Sequence, residues 1–274
     1  MSHRFAEKAS SLKKAINTYG WNGKWYIAAT TDTGLPVGDP SADDCQIYLN
    51  TQTWAILSGV ADEERKQIVT DAVLRYLECD NGLMLCYPAF RSVNPDIGYI
   101  TRYAPGLREN GGVYTHAAAW GVMALGLRNM SEEAIRILKK LNPILQSRND
   151  PVKYRAEPYV LPGNIDGTDS GYPGRAGWTW YTGSSSWLFT IAHEVICGIQ
   201  PTAAGLRISL CIPKEWECLR IRRLFRGAVY QISVKRTKAH RPGPVISVNG
   251  SPIDGDVVPV LQPGTHRIDV LIGS

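Results

Sequence analysis

The sequence lacks any apolar run that approaches the roughly 20 residues needed to cross a bilayer as a helix. It also lacks the features of a secretory signal peptide, because residues 1–17 read as a charged amphipathic helix. We therefore expect no direct membrane insertion and a cytoplasmic location.

No two cysteines are spaced as Cys-x-x-Cys, although the chain has six, at positions 45, 79, 86, 197, 211 and 218. Cys79 and Cys86 lie too far apart for common zinc-knuckle spacing. The spacing excludes the usual zinc modules, and we expect no metal site. Reduced thiols are the expected state in a cytoplasmic protein.

The chain also lacks any recognition motif for nucleic acid. Its formal net charge is +5, and its basic residues are dispersed apart from two clusters, Arg220–Arg223 and Lys235–Lys238. Such clusters could contact nucleic acid, but alternating charge on an exposed strand face explains them more simply. We expect no nucleic-acid partner.

What the sequence does have is the composition of a globular protein. Of its 274 residues, 44% are hydrophobic and 20% charged, which is enough for one large or two modest domains. Asp62 is predicted to cap a helix whose apolar residues, from Ile68 to Tyr76, recur at helical spacing. The Ala-rich segment 113–127 predicts a closely surrounded helix, and another is predicted to begin at Ser131.

After about Pro201 the pattern changes from helical to alternating. Apolar and polar residues alternate, with Gly or Pro between the runs, in segments 206–210, 219–222, 229–234, 245–248 and 266–271. This pattern predicts antiparallel strands. The chain is therefore predicted to be mainly α with a C-terminal β part.

Two blocks carry the clearest functional signal: Arg108-Glu-Asn-Gly-Gly-Val-Tyr-Thr-His116 and Gly177-Trp-Thr-Trp-Tyr-Thr-Gly-Ser184. Glycine allows close approach of the backbone to a ligand, and aromatic rings offer flat faces for sugars. Thr182-Gly183 precedes a predicted helix, whose free N–H groups favour an anion. Together the blocks predict a site that holds a carbohydrate beside an anion. The acidic pairs Asp43-Asp44 and Asp166/Asp169 lie in predicted loops suited to solvent or a weak cation.

The two blocks resemble motifs of the glycoside phosphorylases of glycoside hydrolase family 94. That family includes cellobiose, chitobiose and β-1,2-oligoglucan phosphorylases and the C-terminal part of cyclic β-1,2-glucan synthases. Further segments resemble family motifs in the family's order: Gly20–Tyr26, Leu49–Gly59, Tyr154–Val160 and Cys211–Trp216. The resemblance runs from about Ala6 to the C-terminus and is closest to the β-1,2-glucan members.

The resemblance implies the C-terminal portion of an (α/α)6 barrel, at residues 1–200, followed by a small antiparallel β-sandwich domain at residues 201–274. A partial barrel leaves apolar helix faces unpaired. The implied partner is therefore a missing N-terminal half or a second copy of the chain.

The implied chemistry is inverting phosphorolysis of β-glucans, with an oligosaccharide and inorganic phosphate as substrates and no cofactor. The family's phosphate-binding positions match His116, Thr182 and Gly183. From the residues alone, His116 could instead be a core histidine at a helix start, and Thr182-Gly183 only a capping turn.

The candidate sugar-binding residues are Glu109, Tyr114, Trp178, Trp180, Gln52 and Glu157. The resemblance places Glu109 at the acceptor subsite, whereas the alternative is an ion pair with Arg108 or Arg102. The aromatic residues could be sugar platforms or plain core. Gln52 and Glu157 are weaker candidates, which would position the sugar-binding side chains and not contact the sugar themselves.

The family's catalytic Asp, in an Asp-Trp-Asn-Asp-Gly-like segment, matches nothing in these residues, and an upstream phosphate-binding Arg is also unmatched. We therefore assign no catalytic residue. The leading hypothesis is the C-terminal part of a glycoside phosphorylase or cyclic β-1,2-glucan synthase. The alternatives are a non-catalytic carbohydrate-binding or barrel-completing subunit and a truncated gene product.

Overall fold

The computed structural model describes residues 2–180, 182–238 and 243–273. Its contacts divide the chain into a first unit, Met1–Arg128 with Arg136–Leu188, and a second unit, Asn129–Ile135 with Phe189–Ser274. The division near residue 188 falls earlier than the predicted boundary at residue 200. The reason is local: Cys211 N–H donates to the Ile196 carbonyl at 3.0 Å, which ties the end of the last helical segment to the strands that follow.

Helices dominate the first part of the described chain. The α-helices are α1 Ser2–Ala15, α2 Leu49–Leu57, α3 Glu63–Tyr76, α4 Thr115–Leu127, α5 Ser131–Leu141, α6 Pro143–Asn149, α7 Pro151–Tyr154 and α8 Ser184–Thr190. Two π-helical segments, Ile16–Gly20 and Ile191–Ile196, continue α1 and α8, and a 3-10 turn covers Tyr99–Arg102. No helix among the described residues is long and apolar enough to span a membrane.

Short strands interrupt the helices of the first unit. They are β1 Ala29–Thr30, β2 Pro36–Val37, β3 Ile47–Tyr48, β4 Glu78–Cys79, β5 Gly82–Leu83, β6 Cys86–Tyr87, β7 Val113–Tyr114, β8 Pro162–Ile165 and β9 Ala176–Thr179. The last three form one antiparallel sheet in which β8 lies in the middle. The sequence pattern does not predict this sheet, because its strands are short and contain Pro and Gly.

The structure confirms the helices that the sequence predicts at α3 and α4. Asp62 caps α3, because its Oδ1 accepts a hydrogen bond from the Arg65 N–H at 2.8 Å. In α4 the small residues Ala117, Ala118 and Ala119 are buried, as a helix with close neighbours requires. A mixed helical and β fold is thus confirmed, while its assignment as the C-terminal portion of an (α/α)6 barrel stays a prediction.

The second unit holds the remaining strands: β10 Ile199–Pro201, β11 Gly205–Ile208, β12 Cys218–Phe225, β13 Ala228–Arg236, β14 Val245–Val248, β15 Ser251–Ile253, β16 Val257–Pro259 and β17 Gly264–Ile272. They form a three-stranded sheet, β10-β11-β16, and a five-stranded sheet, β12-β13-β17-β14-β15. Leu206 and Val258 from the first sheet share one hydrophobic core with Tyr230 and Ile268 from the second. The sandwich arrangement itself stays a prediction.

One pair of strands corrects the prediction of an antiparallel domain. β13 and β17 are parallel over their full length, from Ala228 opposite Gly264 to Arg236 opposite Ile272. All other strand pairs described in this unit are antiparallel. Alternating apolar residues show which face of a sheet a side chain occupies, but they do not reveal strand direction.

The core of the second unit predicts that two substitutions in neighbouring strands change the free energy of unfolding by very different amounts. Ile232→Ala removes a side chain that is only 2% exposed and should lower the free energy of unfolding by about 2–5 kcal/mol through the cavity it leaves. Leu224→Ala, in a side chain that is 66% exposed, should change it by less than about 0.5 kcal/mol. Urea unfolding measures both, and equal losses would contradict this description of the core.

Candidate functional site

A cavity of about 270 Å³ in the first unit brings the two sequence blocks together. Its lining residues are Tyr114, His116, Gly163, Trp178, Thr182 and Gly183. Five of these six were predicted from the sequence, and Gly163 was not. We call this space the His116 cavity.

The three-stranded sheet explains why residues so far apart in sequence meet here. Asn164 in β8 pairs with Tyr114 in β7 on one side and with Gly177 in β9 on the other. The chain then passes from β9 to the start of α8, which carries Thr182 and Gly183 to the same place. The cavity therefore lies where β7 leads into α4 and where β9 leads towards α8.

His116 lies in the first turn of α4, half-buried against aromatic rings. Its ring centroid is 4.7 Å from that of Trp120 and 6.1 Å from that of Trp187. Burial lowers the pKa of His116 below its ordinary value of 6.5, which favours the neutral imidazole. Its buried Nε2 has no hydrogen-bond partner among the described residues, an arrangement that costs about 1–3 kcal/mol until a ligand satisfies it.

Thr182 and Gly183 also line the His116 cavity. The Thr182 hydroxyl accepts a hydrogen bond from the Ser184 N–H at 3.0 Å and donates to the Ser184 hydroxyl at 2.7 Å. This is the capping turn that the sequence allowed as an alternative. Gly183 lies against the imidazole, because a Cβ at this position would be 3.4 Å from His116 Cε1. Thr182 therefore forms the capping turn while the adjacent Gly183 contacts His116, so the capping role and a place in the site are compatible.

Arg108 is a residue that the sequence reasoning did not assign to the site. Its guanidinium lies 3.1 Å from the ring centroid of Trp178 and 4.6 Å from that of Tyr103. This stacking holds Trp178 at the edge of the His116 cavity. The signal was present, since Arg108 opens the first sequence block, but nothing in the sequence indicates which ring it meets.

Glu109 forms the ion pair that was the alternative to sugar binding. Its Oε2 lies 3.4 Å from Arg108 Nε. Both atoms are buried, and neither has a hydrogen bond within the described part of the chain. Glu109 does not line the His116 cavity, and its acceptor role stays a prediction.

Gln52 lies away from the cavity and has a structural role. Its side chain has no exposed surface. Its Nε2 donates to the Tyr26 and Tyr48 carbonyls at 2.8 and 3.0 Å, and its Oε1 accepts from the Tyr26 N–H at 3.0 Å. These bonds attach the segment around Tyr26 to α2, so the geometry does not support a sugar contact.

Trp180 and Glu157 also lie outside the His116 cavity, but they contact each other. The Trp180 indole N–H donates to Glu157 Oε1 at 3.0 Å. Hydrogen bonds from its own backbone N–H and from Trp180 lower the pKa of Glu157. Glu157 lines a second cavity, of about 520 Å³, together with Arg155, Trp178 and Thr179.

Asp166, which was predicted to face solvent or a weak cation, is instead buried. It is 3% exposed, and its carboxylate accepts from Asn164 Nδ2 at 3.0 Å and pairs with Arg175 Nη2 at 3.1 Å. Burial raises the pKa of Asp166, and the Arg175 charge opposes that rise. Asp166 therefore stabilises the loop that joins β8 to β9.

Comparison with known proteins identifies the family. The family model described as "Glycosyl hydrolase 94 superfamily, catalytic domain" matches residues 1–198. The chain belongs to this family, as its sequence blocks predict.

Relatives of known activity match almost the whole chain. The N,N'-diacetylchitobiose phosphorylase of Vibrio proteolyticus is 34% identical over 98% of this chain and 34% of its own length. The solabiose phosphorylase of Paenibacillus borealis is 32% identical over 98% of this chain and 35% of its own length. The cyclic beta-(1,2)-glucan synthase NdvB of Rhizobium meliloti (strain 1021) is 39% identical over 88% of this chain and 9% of its own length. The chain thus spans about a third of the two phosphorylases.

The buried imidazole predicts a pH effect on stability. Because the pKa of His116 is lower in the folded chain than its ordinary value of 6.5, the unfolded chain binds the proton more readily. The contribution of the neutral His116 side chain to the free energy of unfolding is therefore complete above pH 6.5 and is lost as the pH falls below that value. His116→Gln should therefore lose less stability than the wild type between pH 7.5 and pH 5.5 in urea unfolding. An equal loss in both proteins would contradict the buried, neutral assignment.

Proposed function

We propose that this chain supplies the phosphate-binding and acceptor-binding side of a glycoside phosphorylase site that acts on β-glucans. In the proposed inverting reaction, a phosphate oxygen attacks the anomeric carbon as the bond to the leaving oxygen breaks, and the product is a sugar 1-phosphate. The observation that carries the proposal is the His116 cavity, in which the Cε1 and Nδ1 atoms of the imidazole lie next to Gly183 and the buried Nε2 has no hydrogen-bond partner among the described residues. Membership of the glycosyl hydrolase 94 superfamily supports the same chemistry.

In this proposal His116, Thr182 and Gly183 hold the phosphate. An N–H of the imidazole donates to a phosphate oxygen, and the anion in turn favours the protonated ring. Phosphate is already an anionic nucleophile, so the site needs no second carboxylate to activate water. The task of these residues is to position the phosphate and offset its charge.

The acceptor sugar lies against Tyr114 and Trp178. Trp178 is 40% exposed although Arg108 stacks on its ring, which leaves apolar surface for a sugar ring. Glu109 pairs with Arg108, and in this proposal its carboxylate accepts a hydrogen bond from a sugar hydroxyl.

The proton donor comes from other polypeptide in this proposal. None of the 274 residues matches the family's catalytic Asp motif, and we assign this role to an upstream half. The competing candidate, a carbohydrate-binding or barrel-completing subunit without catalysis, is favoured by the same mismatch. Sugar 1-phosphate release by the chain mixed with the upstream half of a family member distinguishes the two.

Phosphate binding tests the site in the chain as it stands. His116→Gln should weaken phosphate binding by about tenfold or more, because a hydrogen bond to a charged group contributes about 1.5–3 kcal/mol. His193→Gln, in the second unit, is the matched control and should leave the affinity unchanged. Isothermal titration calorimetry with inorganic phosphate measures both. Equal affinity in the wild type and His116→Gln would remove the phosphate site.

A further inference from the structure

The five-stranded sheet of the second unit buries one face and exposes the other. Ile232 in β13 and Ile268 in β17 lie in the core, whereas the residues that alternate with them lie on the outer face. Part of each basic cluster of the sequence lies on this outer face. We call the following exposed residues the basic face: Arg220, Arg222 and Leu224 in β12, Lys235 in β13 and Arg267 in β17.

The strand register brings the cations of the basic face close together. Arg220 lies opposite Ser233 of β13. Arg222 lies opposite Gln231, which in turn lies opposite Arg267 of β17. From the spacing of strands and of residues along a strand, neighbouring cations are about 7–10 Å apart, which is comparable to the Debye length at physiological salt. They therefore attract an approaching anion as a group.

Most of the positive charge on the basic face is unpaired. Arg267 pairs with Asp269 at 2.8 Å, and Asp269 is the one acidic residue in the five strands. The side chains of Arg220, Arg222 and Lys235 have no ion pair or hydrogen bond within the described part of the chain. An anionic partner can therefore bind these side chains without breaking any existing interaction.

Leu224 adds apolar surface at one end of the basic face. Its side chain is 66% exposed, next to Arg222 on the same face and opposite Val229 of β13. Cations beside an exposed apolar side chain are typical of surfaces that bind anionic lipid bilayers.

The basic face has no aromatic ring among the described residues, because Phe225 and Tyr230 pack on the core side of the sheet. Sugars and single-stranded nucleic acids are held largely by stacking on such rings, so the face suits neither. Duplex nucleic acid matches the charge, but it offers no apolar layer to Leu224. The combination of charge and apolar surface therefore favours a lipid bilayer.

We propose that the basic face is a docking surface for an anionic lipid bilayer. Arg220, Arg222 and Lys235 contact the lipid phosphate groups, and Leu224 enters the boundary between headgroups and acyl chains. The contact is peripheral and reversible, because a few cations and one apolar side chain bind a bilayer far more weakly than a spanning helix does. This docking is independent of the proposed function, since no residue of the His116 cavity takes part in it.

Vesicle co-sedimentation tests the docking surface in the full chain. The wild type should bind vesicles of phosphatidylcholine with about 30% phosphatidylglycerol at least about tenfold more tightly than pure phosphatidylcholine, because each Lys or Arg near an anionic surface contributes about fivefold. Raising NaCl from about 50 mM to about 300 mM should weaken this binding. Arg220→Glu combined with Arg222→Glu should weaken it by about 25-fold or more, and Leu224→Ser should weaken it by about threefold.

The matched control is Lys139→Glu combined with Arg148→Glu, which makes the same change in net charge at exposed positions of the first unit. This control should bind the anionic vesicles as the wild type does. If reversal of Arg220 and Arg222 alters the far-UV circular dichroism spectrum, Arg220→Gln combined with Arg222→Gln replaces it, with an expected loss of about tenfold or more.

Three results would overturn the docking surface. The first is equal binding of the wild type to the two kinds of vesicle. The second is an equal loss of binding in the β12 variant and in the matched control, which would show that net charge alone is responsible. The third is tighter binding to duplex DNA than to anionic vesicles, with no effect of Leu224→Ser, which would assign the basic face to nucleic acid.

Discussion

The arrangement of the site depends on Asn164 in the middle strand of the small sheet. Its backbone pairs with Tyr114 and Gly177, which places the two sequence blocks side by side. Its side-chain Oδ1 accepts from the Arg108 N–H at 2.9 Å, while its Nδ2 donates to Asp166. Position 112 must be glycine for this reason, since a Cβ there would meet Asn164 Oδ1 and the Arg108 backbone. The buried Asn164 therefore positions both the residues that line the His116 cavity and the loop that joins β8 to β9.

The electrostatic character of the site follows from burial without full hydrogen bonding. His116 Nε2, Arg108 Nε and Glu109 Oε2 are buried atoms with no hydrogen-bond partner among residues 2–180, 182–238 and 243–273. Arg108 Nε and Glu109 Oε2 lie 3.4 Å apart and offset each other's charge, whereas the unpaired His116 Nε2 costs about 1–3 kcal/mol. Functional sites commonly carry such costs, because the same groups become favourable when a ligand pairs with them. The stacking of Arg108 between Tyr103 and Trp178 offsets part of the cost.

The sequence predicted the site more fully than the fold around it. The motif blocks identified Tyr114, His116, Trp178, Thr182 and Gly183, which all line one cavity, because glycines, aromatic residues and a helix start have local signatures. Strands β7, β8 and β9 were missed, since β8 contains Pro162 and Gly163 and reads as a loop. The parallel pairing of β13 with β17 and the stacking of Arg108 on Trp178 are long-range facts that residue periodicity does not contain. Gln52 is a polar residue in a motif whose hydrogen bonds are to the backbone of Tyr26 and Tyr48, and its supporting role at the site stays a prediction.

The central claim is that the His116 cavity is a phosphate site, and a crystal structure of the chain soaked in phosphate tests it most directly. The account predicts a phosphate oxygen within about 3 Å of His116 Nε2, with the anion against Gly183 and with Trp178 still stacked on Arg108. A well-ordered structure at saturating phosphate, in which His116 Nε2 contacts only water or protein and the anion binds elsewhere, would contradict it.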